Sequence, residues 1–137
     1  MPFVLDASMT VSWCFADEST PYRRSVLASL SNTYAEVPAL WTFEVANVLA
    51  VNERRRRITP AIADEFLETL AGLDIRVEQP FYAHIAALLP LARRYGLTAY
   101  DAAYLELAKR KSLPLATFDT DLIAAASQEG VVLVSQP

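Results

Sequence analysis

Along this chain short apolar runs alternate with longer stretches in which apolar residues recur every three or four positions. The runs predict strands at Phe3 to Leu5, Ala35 to Val37, Ile75 to Val77, Leu115 to Thr117 and Val131 to Val134. The longer stretches predict helices at Ser8 to Phe15, Pro21 to Leu30, Leu40 to Arg57, Pro60 to Ala71, Tyr82 to Tyr95, Ala99 to Lys111 and Leu122 to Glu129. Strand and helix in alternation predict an α/β domain around a mostly parallel sheet, in which each helix carries the chain back to start the next strand. Thr59 before Pro60 reads as an N-cap followed by proline at the first helical position, where its missing N–H costs nothing. Gly72, Gly96 and Gly130 each follow a helical stretch and precede an apolar residue, as left-handed C-caps do. None is left for a phosphate-cradling loop, which disfavours a dinucleotide or P-loop site. The strand order stays open.

Four acids break this pattern. In LTAYDAAYLELA, Asp101 has Leu97 one turn before it and Leu105 one turn after, so a carboxylate sits in the apolar stripe of its helix. In WTFEVANVLAV, Glu44 is in the same position, between Leu40 and Val48. Asp6 ends the strand FVLD and Asp119 ends LATFD, with Asp121 close behind. In an open parallel sheet such strand ends form the carboxyl edge, where ligands bind. Each acid alone has a structural explanation: Thr98 with Asp101 fits a capping box, Asp6 and Asp119 suit N-caps, and Glu44 lies in an early turn that favours an anion. Capping does not explain why all four occupy places that one shared cleft would need.

Composition narrows the setting. The 137 residues are one domain's length, 1–137, and 53% hydrophobic against 20% charged allows a substantial core. One cysteine, Cys14, and one histidine, His84, exclude a disulfide framework and a thiolate or imidazole metal site. No basic segment precedes an apolar one at the N-terminus, and no apolar run approaches the roughly 20 residues of a membrane span, so a cytoplasmic, membrane-free protein is expected. Sixteen acidic against twelve basic residues give a net charge of −4, so any surface that binds phosphates must be local.

If the four acids converge, something must offset their charge. Two unit charges about 4 Å apart repel by about 4 kcal/mol at an effective dielectric of about 20, so such a cluster takes up protons or holds cations. Oxygen donors alone favour a hard cation, magnesium or manganese. Phosphodiester hydrolysis assisted by that cation is the chemistry that follows.

The motifs LDAS, FEVANVL, TAYDAAYLELA and LATFDTDL, in this order and spacing, resemble those of PIN-domain ribonucleases. The likeness covers nearly the whole chain and is nearest to the toxin member of VapBC-type toxin–antitoxin pairs. What the resemblance implies is a PIN-like three-layer α/β/α sandwich and a Mg2+-dependent endoribonuclease, with Mn2+ able to substitute. It further implies a homodimer restrained by a small antitoxin. Asp6, Glu44, Asp101 and Asp119 match the family's acidic quartet, as metal ligands and catalytic residues, with Asp121 the alternative to Asp119. Ser8 and Thr117 match the small hydroxyl residues beside the first and last acids, and Asn47 is a candidate hydrogen-bonding support one turn after Glu44.

The remaining features are read against ordinary structural roles. Arg54 to Arg57, Arg23 with Arg24, Arg93 with Arg94, and Lys109 to Lys111 are either solvated helix surface or RNA contacts. Trp13, Phe15 and Trp41 are core or base-stacking residues, and His84 is structural. A phosphotransfer receiver would need a lysine at a strand end, and Lys109 and Lys111 lie on a helix. A haloacid-dehalogenase-like phosphatase would need an acid where Ser8 stands. The competing reading is a PIN-like module that binds RNA or protein without cutting.

Overall fold

In the computed structural model residues 1–80 and 83–135 are described. Tyr82, expected at the start of a helix, lies outside them. Four strands pair in parallel: β1 (Phe3–Leu5), β2 (Ala35–Pro38), β3 (Ile75–Glu78) and β4 (Leu115–Ala116), in the order β3-β2-β1-β4. β1 is central and fully buried, with Val4 opposite both Glu36 and Leu115. β3, at one edge, is largely exposed, as a strand with a single neighbour is. The chain moves from β1 to β2 to β3 and then returns to the other side of β1 for β4. That reversal makes a switch point between β1 and β4, and the crevice at such a point, at the carboxyl edge, is where this architecture holds ligands.

Helices flank the sheet. They are α1 (Ala7–Ser12), α2 (Pro21–Ser29), α3 (Leu40–Arg54), α4 (Pro60–Ala71), α5 (His84–Tyr95), α6 (Ala99–Lys111) and α7 (Thr120–Gln128), with a 3-10 turn at Ala16–Glu18 after α1. α6 packs against β1, β2 and β4, and its residues from Ala102 to Ala108 are all buried. A helix enclosed on every side shows little amphipathic stripe, so it has to be placed by its neighbours. Thr20, Thr59 and Thr98 cap α2, α4 and α6, each accepting the N–H of the residue three positions on. Among the described residues no helix is long and apolar enough to cross a membrane.

Several boundaries differ from the sequence reading. α3 stops at Arg54 instead of Arg57 because Arg56 turns left-handed at φ 58°, letting the Arg57 N–H reach the Asn52 carbonyl at 2.9 Å. Ser112, at φ 54°, closes α6 in the same way, with the Leu113 N–H on the Ala108 carbonyl. Gly96 and Gly130 are left-handed as expected, at φ 62° and 70°. Gly72 is not: its φ is −82°, and α4 ends in tight i to i+3 bonds from Gly72 and Leu73 that satisfy the last carbonyls directly. The expected helix at Ser8 to Phe15 ends at Ser12, where the chain tightens toward the 3-10 turn. Capping by Asp119 starts α7 at Thr120, two residues before the expected Leu122. The expected strand at Val131 to Val134 is a single parallel bridge between Leu133 and Leu115.

Candidate active site

Two acids come from strand ends at the switch point. The Asp6 N–H donates to the Ala116 carbonyl at 3.3 Å, tying the exit of β1 to β4. The Asp6 side chain is buried, with one oxygen accepting the Met9 N–H at 2.7 Å and the other the Thr117 hydroxyl. That hydroxyl in turn accepts the Asp119 N–H at 3.1 Å, so Thr117 joins the two acids. Asp119 caps α7 by accepting the Leu122 N–H at 3.0 Å. The capping explanation therefore holds for both strand-end acids, and it is also what fixes their carboxylates at one edge of the sheet.

The other two acids arrive on helices. Glu44, in the second turn of α3, accepts the Tyr104 hydroxyl at 2.6 Å. Tyr104 is buried on α6 three residues after Asp101, so this bond joins the two acid-bearing helices. Asp101 lies in the first turn of α6, its N–H on the Thr98 hydroxyl at 3.1 Å. A second link anchors α3 to the exit of β1: the Trp41 indole donates to the Thr10 hydroxyl at 3.0 Å, which donates to the Asp6 carbonyl at 2.9 Å.

The electrostatics show which groups sense one another. Burial pushes Asp6 up to about 6; the bonds from Thr117 and Met9 oppose this, and the charges of Asp119 and Asp101 add to it. Burial raises Asp101 as well, with Asp119 and then Asp121 contributing. Glu44 is raised by burial and by Asp101, against the bond from Tyr104. Tyr104 is pushed far above the usual phenol range by burial and then by Glu44. Tyr22, on α2, is raised by burial and then by the charge of Asp6, which places the start of α2 beside the same site.

Among the described residues no three His, Cys, Asp or Glu side chains close tightly enough to enclose a metal ion. The donor chemistry nevertheless fits a hard divalent cation. Every candidate ligand is a carboxylate oxygen, and Asp6, Asp101 and Glu44 all hold protons more tightly than free carboxylates do. A divalent ion and a proton offset the same surplus negative charge.

The supporting candidates separate. Thr117 is in the network, whereas Ser8 and Asn47 are exposed on α1 and α3. Asp121 is exposed and acts on Asp101, while Asp119 acts on both Asp6 and Asp101. The parts that Tyr104, Thr10 and Trp41 play in holding the acids were not read from the sequence. Only Tyr104 had a signal, its place one helical turn from Asp101.

Most basic clusters are engaged elsewhere. Arg57 pairs with Asp17, Arg94 and Lys109 with Glu129, Arg110 with Glu78 and Glu106, and Lys111 with Glu36. Arg54, Arg55 and Arg93 are exposed. Phe15 and Trp41 are core, Trp13 is half-buried, and His84 lies 3.6 Å from Glu78, away from the acids.

A family model for the PIN domain matches residues 3–128, so the chain belongs to the PIN-domain family. Three solved structures share the fold. PAE2754 from Pyrobaculum aerophilum is 22% identical over 91% of this chain and 84% of its own, with a TM-score of 0.71. FitAcB from Neisseria gonorrhoeae is 20% identical over 99% and 98%, with a TM-score of 0.65. VapBC2 from Rickettsia felis, bound to a DNA fragment from its promoter, is 12% identical over 98% of each chain, with a TM-score of 0.68. A search of curated proteins returned no match.

Proposed function

We propose that this chain is a Mg2+-dependent endoribonuclease, with Mn2+ able to substitute, and the toxin of a toxin–antitoxin pair. The observation that carries the reading is Asp6: a buried carboxylate at the switch point, raised to about 6, which senses both Asp119 and Asp101. Membership of the PIN family supports nuclease chemistry. Two fold relatives, FitAcB and the VapBC2 complex, support a protein partner of the antitoxin kind. The same reading makes the protein a cytoplasmic homodimer with residues 1–137 as one nuclease domain.

Asp6, Asp101 and Asp119 are the proposed cation ligands, and Glu44 acts beside them. When bound, the cation supplies Lewis-acid stabilisation of charge on the phosphodiester and lowers the pKa of a water. The chain supplies orientation. Asp6 is fixed by two hydrogen bonds and Asp119 by its cap, so neither has to be ordered when RNA arrives. Tyr104 aims Glu44, and a carboxylate of raised proton affinity is suited to accept a proton from water attacking phosphorus. The expected products carry a 5′-phosphate and a 3′-hydroxyl.

The test is incubation of the protein with single-stranded RNA in Mg2+, in Mn2+ and in excess chelator. Cleavage with either ion and none in chelator is expected. RNA bound but left intact under all three conditions would establish the non-cleaving module instead.

A further inference from the structure

We propose that Arg23 is a phosphate-contacting residue of the same site, receiving the RNA strand beside the acids. The inference rests on the nuclease reading and adds to it a substrate contact. Phe118 lies between Thr117 and Asp119, the pair that orders the strand-end acids. The guanidinium carbon of Arg23 is 3.7 Å from the centre of the Phe118 ring, a stacked cation–π contact. With consecutive Cα atoms about 3.8 Å apart and the Phe118 ring centre a similar distance from its own Cα, the guanidinium can be no farther than roughly 11 Å from the Asp119 Cα, within reach of a strand held at the acids.

The placement is built. Nη1 of Arg23 donates to the Glu18 carbonyl at 2.5 Å, its N–H to the Thr20 hydroxyl at 3.2 Å, and its carbonyl accepts the Trp13 indole N–H at 2.9 Å. A stacked and tethered guanidinium loses little freedom on binding, and most of its five donors remain for a second partner.

The helix itself does not favour a cation there. Arg23 is in the first turn of α2, where the helix dipole disfavours positive charge. Among the described residues no carboxylate pairs with it, in contrast to Arg57, Arg94, Lys109, Arg110 and Lys111. A chain of net charge −4 with an acidic cleft repels a polyanion unless a cation stands at the cleft's edge. A planar guanidinium is the side chain that meets a phosphate with two parallel bonds.

The experiment compares Arg23→Ala and Arg23→Lys with the parent on short single-stranded RNA in Mn2+, at two salt concentrations. It also measures RNA affinity of the same variants in an Asp101→Asn background. For Arg23→Ala, KM is expected to rise by roughly tenfold to a hundredfold, the range for one hydrogen-bonded charge, with kcat within about twofold of the parent. The dependence of log affinity on log salt becomes shallower by about 0.7, the value for one phosphate contact on a single strand. Arg23→Lys restores the salt dependence but only part of the affinity. The indole bond of Trp13 goes to the main chain and survives both changes. An Arg23→Ala variant with parental KM and salt dependence, or one that loses only kcat, overturns the inference. If the parent cleaves no RNA, the nuclease reading falls, and the affinity arm still decides on Arg23: RNA affinity indifferent to residue 23 rejects it.

Discussion

Replacing Asp101 with asparagine is expected to lower Mn2+-dependent RNA cleavage on the order of a thousandfold, about 4 kcal/mol in barrier height, while the protein melts close to the parental temperature. The carboxylate is half-exposed, and the hydrogen bond that sets α6 on Thr98 comes from the Asp101 main chain. An isosteric amide keeps that bond and removes one negative charge from a site where Asp6, Glu44 and Asp101 all resist ionisation. Stability therefore holds, and what is lost is a ligand for a divalent ion. Cleavage kinetics together with thermal melting check the pair of expectations. Parental cleavage would remove Asp101 from the chemistry, and a collapsed melting temperature would make it structural.

The second large effect is at Asp6, where loss of activity is expected to accompany a gain in metal-free stability. A carboxyl raised from 3.8 to about 6 on folding contributes stability in full below pH 3.8, and this is lost as pH rises through about 6. The loss amounts to about 3 kcal/mol at 1.36 kcal/mol per unit. An amide does not ionise and escapes it. The bond from the Thr117 hydroxyl is made worse by an amide, which offsets about 1 kcal/mol of the gain. In chelator at pH 7.5, Asp6→Asn should be more stable than the parent by about 1–3 kcal/mol, and the advantage should vanish near pH 4. Adding Mn2+ at pH 7.5 should raise the melting temperature of the parent and not of the variant, because only a folded state that binds the ion gains from it. Denaturant unfolding at the two pH values measures the first effect. A variant less stable than the parent at pH 7.5 would mean that Asp6 is chiefly a cap for α1.

These two acids also show how far the sequence could be read. Asp6 and Asp119 were visible as strand-end acids because the apolar runs before them are short and unambiguous. Asp101 and Glu44 were visible because each interrupts an apolar stripe. That Asp6 and Asp119 are neighbours was not legible: parallel strands are joined through helices, so chain order does not dictate sheet order, and the Asp6 N–H bond to Ala116 exists only once β4 lies beside β1. The same holds for Tyr104 and Glu44, sixty residues apart, and for the stacking of Arg23 on Phe118. The end of α3 was misjudged because Arg56, a residue other than glycine, takes the left-handed turn, whereas α6 ends at Lys111 as expected although Ser112 does the same. At Gly72 the error ran the other way, since a glycine after a helix permits a left-handed cap without requiring one.

The most direct test of the shared acidic site is a crystal of the protein soaked in Mn2+, with anomalous scattering measured at the manganese edge. An anomalous peak bounded by carboxylate oxygens of Asp6, Asp101 and Asp119, and absent from the Asp6→Asn protein, is expected. No peak at the carboxyl edge between β1 and β4, or one that persists without the Asp6 carboxylate, would contradict it.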